Sequence, residues 1–292
     1  MKNNNFDVLF PDNRAQGDTN LRKAQLVMLR ILRVVDHLCR TNGIGYWLCS
    51  GTLLGAVRHG GFIPWDDDVD ICMMREDYER FLVVAATELP DDLFLQTHQT
   101  DPNYDYLPLP CKIRDTKSLI IERGTANKKY HKGLFLDIFP FDRYSMDDKS
   151  YACQLRRKAY FGSLARAWNA KLYASESFSK RCVALFYPLI WLGTKCYLKQ
   201  SKHLIEESRK IENPCRLGHG FDTPWQRYFV YDDIFPLQEQ TFEGFSFLAP
   251  ARIDVYLSTL YGASYMTPPP PEKQEYHGTN LIPIYKTSEE TP

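Results

Sequence analysis

The sequence predicts an α+β fold with an α/β core, and three observations carry the prediction. From residue 19 to 146, apolar residues recur by turns at the period of helices and at the two-residue period of strands. From about 147 to 212 the period is helical and the composition is rich in Lys and Arg. Beyond 266, "PPPPEKQEYHG" has neither period, and its prolines forbid regular helix or a central strand. The chain divides accordingly into an N-terminal tail (1–18), a core (19–146), a largely helical region with a hairpin and a short helix that completes the same domain (147–265), and a Pro-rich tail lying over the surface (266–292).

Taken in order, Asp18 or Thr19 caps a helix through "LRKAQLVMLRILRVVDHLCR", where Leu26, Leu29, Leu32 and Val35 share one face, and Asn42-Gly43 ends it. "YWLCS" reads as a short strand, "TLLGAVRH" as one or two helical turns, "DVDICMM" as a second strand and "EDYERFLVVAATEL" as an amphipathic helix. "DLFLQTH", "LPCKIRD", "SLIIER" and "GLFLDIFPFD" are strands joined by turns. "TFEGFSFLAP" is a hairpin, and "ARIDVYLSTLYG" a short helix ending at Gly262.

Bulk properties narrow the function classes. The 36 basic and 36 acidic residues balance, so no broad field recruits nucleic acid, and a polymerase reading is disfavoured. The eight cysteines form no CxxC pair, which argues against zinc-ribbon and thioredoxin-like readings, and a reducing cytoplasm fits them best. The N-terminus lacks the apolar stretch of a secretory signal. In "CVALFYPLIWLGTKCYL" (182–198) the apolar run stops at Lys195, short of the roughly 20 residues that span a bilayer. It reads as a buried helix or helix pair broken at Pro188, or else as a helix in peripheral contact with a membrane surface.

The chemistry concentrates in "GFIPWDDDVDICMM", where four aspartates fill five positions and run directly into an apolar strand. Residues two apart on a strand share a face, so Asp68 and Asp70 project together. Asp66 joins them if the extended backbone reaches back that far, while Val69 and Ile71 face the core and Asp67 points away. Such carboxylates suit a hard divalent cation, Mg²⁺ or Mn²⁺; the plainer reading is an acidic turn. Asp137, between Phe135 and Phe139 on its strand face, is a candidate third carboxylate, or else the partner of a nearby Lys or Arg. Asp142 reads as a turn residue. In "CSGTLLGAVRHGG" a strand stops at Ser50-Gly51 and a helix begins at Thr52, an arrangement that favours an anion, although it is no Walker loop. Lys112 and Arg114, two apart on a strand, can face one cleft. Arg58 and His59 follow the Ser-Gly-Thr turn, His59 reading as a turn residue. Trp65 either stacks on a ligand or wedges the acidic strand against the core, and Tyr46 and Trp47 read as core.

A G-S/T turn, a D-x-D strand and a third acid on a later strand resemble the nucleotidyltransferase superfamily. "YWLCSGTLLGAVRHGGFIPWDDDVDI" is more specific and resembles the LicD family, which includes bacterial phosphorylcholine transferases and is related to fukutin-type ribitol-phosphate transferases. "CKIRD", "HKGLFLDIFPFD", "YFVYDDIFP", "FEGFSFLAP" and "YLSTLYGASYMTPPP" extend the resemblance over roughly residues 25 to 277. It implies a nucleotidyltransferase-like mixed sheet flanked by helices. It also implies metal-dependent transfer of a phospho-alcohol from a CDP-activated donor, CDP-choline or similar, to a hydroxyl of a glycan (lipopolysaccharide or capsule) or a lipid-linked saccharide, with release of CMP. The setting would be the cytoplasm, at the inner face of the membrane. In that scheme Asp68, Asp70 and Asp137 hold Mg²⁺ or Mn²⁺, and Asp66 is a further ligand or the base. Ser50, Gly51, Thr52, Arg58, Lys112 and Arg114 hold nucleotide and phosphates. Tyr231-Asp232-Asp233 and "TPPPPE" supply headgroup or acceptor contacts by default; the aromatic content alone does not choose a choline cage over a polyol pocket. The alternatives are an enzyme transferring NMP from an NTP to a small molecule, with the same acidic triad, and an inactive nucleotide-binding or scaffold protein. A DxD glycosyltransferase lacks support, because no doubly wound pattern accompanies the aspartates.

Overall fold

The structure is a computed structural model that describes residues 6–104, 111–122, 124–169, 182–183, 185–274 and 278–284. Its first half runs α1 (Phe6–Leu9), α2 (Asn20–Thr41), β1 (Trp47–Leu48), α3 (Ser50–His59), β2 (Asp70–Met74), α4 (Arg75–Glu88), β3 (Leu93–Gln96), β4 (Cys111–Asp115), β5 (Leu119–Glu122) and β6 (Phe135–Tyr144). The second half runs α5 (Asp148–Asn169), α6 (Tyr187–Arg209), β7 (Arg216–His219), β8 (Tyr228–Val230), α7 (Tyr231–Ile234), β9 (Gln238–Phe242), β10 (Phe245–Ala249), α8 (Ile253–Tyr261) and β11 (Gly278–Ile282). The α+β class predicted from sequence is the one observed.

The main sheet is mixed, in the order β1-β2-β6-β4-β3, with β7 on β6 and β8 on β7. The ten-residue β6 is its axis: parallel to β2, antiparallel to β4 through its first half and to β7 through its second. Alternation along β6 sends Phe135, Asp137 and Phe139 to one face, and the fully buried Leu136 and Ile138 to the other. Helices α2 and α4 pack on β6 and on each other. Thr19 caps α2, its hydroxyl accepting from Arg22 N at 3.1 Å. Ala24, Met28, Ile31 and Val35 recur along the helix and are wholly buried.

Several expectations are corrected. Helix α3 begins at Ser50 and runs nearly three turns rather than one or two. Asp142 is not in a turn; it lies within β6, buried. The second half contributes β7 and β8 to the same sheet, strands whose short segments carry too little alternation to be read. Within the Pro-rich tail, residues 278–282 form a strand antiparallel to β5, and Gly278 N donates to Asp67 Oδ2 at 2.7 Å. The break expected at Pro188 is present: residues 182, 183 and 185 are helical, Phe186 is a turn, and Pro188 lies in the first turn of α6, where its missing N–H costs nothing. The apolar side chains around it are exposed rather than buried.

Candidate active site

The acidic row is built by strand register. Asp70 on β2 stands level with Asp137 on β6, and Asp137 level with Lys112 on β4. Neighbouring strands lie about 4.8 Å apart, so two carboxylates and an ammonium are forced side by side on one sheet face. Asp66 and Asp68, in the extended segment leading into β2, line the same cleft, whose volume is about 700 Å³. Thr52 Oγ1 accepts from Asp70 N at 2.8 Å and fixes the start of β2 against α3.

The electrostatics of the row are unbalanced. Lys112 Nζ is 2.7 Å from Asp137 Oδ1 and hydrogen bonds to Oδ2 at 2.8 Å. Oδ1 is buried and, although ion-paired by distance, accepts no well-aligned hydrogen bond. The one cation in the row therefore serves Asp137 incompletely. Burial pushes the Asp70 carboxyl up, with the charges of Asp68, Asp137 and Asp66 adding to it. Asp66 is pushed up to about 9, by burial first and then by Asp68. Asp137 is also raised by burial, against the opposing pull of Lys112. Each shift has the same cause: negative charge held out of water with too little positive charge beside it.

A hard divalent cation fits this donor set. The ligands are oxygens, Asp137 Oδ1 lacks a hydrogen-bond donor, and the cleft is open enough for waters or phosphate oxygens to complete a shell. Among the described residues no three carboxylate, histidine or cysteine side chains are drawn together into a ready-made cage.

Beside the carboxylates, Ser50 and Gly51 line the cleft at the first turn of α3, where N–H groups have no intrahelical partner. Ser50 has φ +48°, a left-handed conformation that side chains avoid and that functional sites often retain. At Gly51 any Cβ would come 2.9 Å from Asp66 Oδ2, so glycine is what lets that carboxylate lie on the helix start. Arg58 lines the wall and donates to His59 Nε2 and to Tyr265 O.

Of the residues singled out from sequence, Ser50, Gly51, Arg58, Asp66, Asp68, Asp70, Lys112 and Asp137 meet in this cleft, and Trp65 joins them. Thr52 and Arg114 do not line it. Arg114 is buried, donating to Gln96 Oε1 at 2.5 Å and Gly133 O at 2.7 Å, and its guanidinium lies over the Phe135 ring. It braces the wall instead of facing a phosphate. Asp233 is likewise structural, accepting from Val230 N and pairing with Arg252. From the Pro-rich segment, Thr267 and Pro269 reach the cleft. Sequence reasoning missed Tyr104, Glu122, His219, Trp225 and Tyr261, all of which line it. His219 is buried with an unpartnered Nδ1, and burial lowers it to about 3, so it is a neutral imidazole.

Comparison with known proteins agrees with this construction. A family model described as "LicD/FKTN/FKRP, nucleotidyltransferase domain" matches residues 43–162, the stretch that contains the acidic row, the α3 turn and Lys112. The lipopolysaccharide cholinephosphotransferase LicD of Haemophilus influenzae is 31% identical over 266 residues, 88% of this chain and 95% of that protein. The human ribitol 5-phosphate transferase FKRP is 51% identical over 45 residues, 15% of this chain and 9% of that protein. The mouse ribitol-5-phosphate transferase FKTN is 34% identical over 58 residues, 20% and 13% of the two chains. The protein is thus a transferase. With near full-length similarity on both sides, it belongs to the LicD family.

Proposed function

We propose that this transferase moves a phospho-alcohol, phosphocholine or a close analogue, from a CDP-activated donor to a hydroxyl of a glycan or lipid-linked saccharide, releasing CMP. The observation that carries the reading is the register-enforced row Asp70–Asp137–Lys112, which lines one cleft with the helix start at Ser50-Gly51. The relatives, a lipopolysaccharide cholinephosphotransferase and a ribitol 5-phosphate transferase, support a phosphate-linked alcohol as cargo and a glycan as acceptor.

The hydroxyl oxygen of the acceptor forms a bond to the phosphorus that bears the alcohol, the bond from that phosphorus to the CMP oxygen breaks, and CMP departs. Asp68, Asp70 and Asp137 would hold Mg²⁺ or Mn²⁺, which supplies positive charge to the diphosphate and to the leaving phosphate. The α3 N–H groups and Arg58 hold phosphate oxygens. Lys112 pulls the Asp137 carboxyl down against the effect of burial and holds it in place. Asp66, whose carboxylate lies on the start of α3 and lines the cleft, is a further ligand or the base that takes the hydroxyl proton.

The test is product analysis with CDP-choline, a saccharide acceptor and Mg²⁺. Formation of CMP together with a phosphocholine-bearing saccharide is expected, and Asp68→Ala should abolish both. Release of pyrophosphate from CTP, with NMP attached to the acceptor, would replace this reading with nucleotidyl transfer.

A further inference from the structure

The helical hairpin formed by α5 and α6 carries a surface that the transfer chemistry does not use. Leu185, Phe186, Leu189, Trp191 and Leu192 lie in and just before the first two turns of α6, with exposures from 45% at Trp191 to 80% at Leu185. Tyr160 of α5, also exposed, adjoins them across Gly193. The opposite face of α6 is committed: Tyr197 stacks on Phe161 of α5 with ring centroids 4.4 Å apart, and its hydroxyl donates to Phe221 O at 2.9 Å. The apolar group is therefore held outward on a fixed helix. A contiguous exposed apolar patch of this kind marks an interaction site.

Charge identifies the partner. Residues 148–210 contain 13 Lys and Arg against 4 Asp and Glu, in a chain with 36 of each, so the rest of the molecule is correspondingly acidic. On α6 itself the apolar turns pass into exposed Lys195, Lys199 and Lys202, and Lys195 Nζ lies 5.9 Å from the Trp191 ring centroid. Leucine and aromatic side chains at one end, a tryptophan at the boundary and lysines beside it are the composition of a helix lying in a lipid headgroup layer. Among the described residues no helix is long and apolar enough to cross a membrane.

We propose that the first half of α6, with Tyr160 and the lysines that follow, docks on the surface of an anionic phospholipid bilayer. The apolar side chains enter the headgroup region while the ammonium groups meet lipid phosphates. A small cavity of about 190 Å³, lined by Trp168, Thr194 and Lys195, shares Tyr104 with the acidic cleft and so joins the docking helix to the cleft wall. That contiguity suits a lipid-borne acceptor and to this extent rests on the transferase reading; the docking itself does not.

Sedimentation of the full chain with sucrose-loaded vesicles tests it. Wild type should pellet with phosphatidylcholine–phosphatidylglycerol vesicles at low salt, less with phosphatidylcholine alone, and less as salt rises. Leu189→Ser with Leu192→Ser should weaken binding at least about tenfold, with circular dichroism and CDP-alcohol binding unchanged. Brominated lipid should quench tryptophan fluorescence in wild type and much less in the conservative Trp191→Phe. Failure of the wild type to pellet, equal binding by the serine variant, or unchanged quenching in Trp191→Phe would overturn the proposal. So would a dimer that the serine variant dissolves while vesicles bind neither form, since the face would then join copies of this chain. Loss of vesicle binding with CDP-alcohol binding intact separates this inference from the proposed reaction.

Discussion

Strand β6 carries two buried aspartates on opposite faces, and their surroundings differ. Asp142 receives Arg75 Nε at 2.8 Å and Nη2 at 3.1 Å, and Phe221 N donates to Oδ2 at 2.7 Å. Arg75 is also paired with Asp222 at 2.7 Å, so the network is closed by a guanidinium whose fork matches the carboxylates. Asp137, five residues earlier, has one lysine, one oxygen without a well-aligned donor, and Asp70 as its neighbour on the next strand. Where the fold needs a buried carboxylate, it surrounds it with donors. In the cleft the same residue type is left short of positive charge, and that shortfall is available to a cation or to a ligand that brings one.

The comparison breaks first at Asp142. Asp142→Ala should destabilise the chain by about 3–5 kcal/mol, because it breaks a buried ion pair, leaving Arg75 to Asp222 alone and Phe221 N without its acceptor; urea unfolding measures this, and a loss under about 1 kcal/mol would show that the network is not closed as described. Next, Asp70→Asn should lower the transfer rate by at least about a hundredfold and leave stability unchanged or slightly raised, since it removes repulsion rather than a partner. A large loss of stability there would make the two faces alike. Third, Mg²⁺ or Mn²⁺ at a hundred times its dissociation constant should stabilise the wild type by about 2.7 kcal/mol. A thermal melt would show it, and Asp68→Ala with Asp70→Ala should not respond.

A fourth effect concerns Lys158, whose ammonium sits behind the Asp142 network and donates to Gly220 O, Thr223 O and Thr223 Oγ1. Burial lowers it from 10.5 to about 7. Between those values the unfolded chain binds a proton that the folded chain has lost, so stability rises with pH across that window, by up to about 1.4 kcal/mol per unit. Unfolding midpoints from pH 7 to 10 measure the slope, which Lys158→Met should flatten.

The acidic row was legible in part because strand alternation states which side a residue takes, which put Asp68 with Asp70; the register that sets Asp137 beside Asp70 is not written in either strand alone. Alternation also placed Lys112 and Arg114 on one face. It could not say that Arg114 would be captured by Gln96 and Gly133, partners fixed by tertiary packing. Asp142 misled because Pro140 suggested the end of a strand. Instead β6 exchanges β4 for β7 at that point, and Pro140 O accepts from Gly220 N at 2.8 Å, so the missing N–H matters little. Tyr104, His219 and Trp225 come from strand ends and irregular segments with no period of their own. Only the pairing of β7 with β6 brings His219 to the cleft.

The most direct measurement is calorimetric titration of CDP-choline, CDP-ribitol and CDP-glycerol into the wild type and into Asp68→Ala with Asp70→Ala, with and without Mg²⁺. The account predicts that one CDP-alcohol binds the wild type only when the cation is present, and that the double variant binds none. Equal binding by both proteins, or no nucleotide bound by the wild type with the cation present, would contradict it and return the aspartate cluster to a structural role.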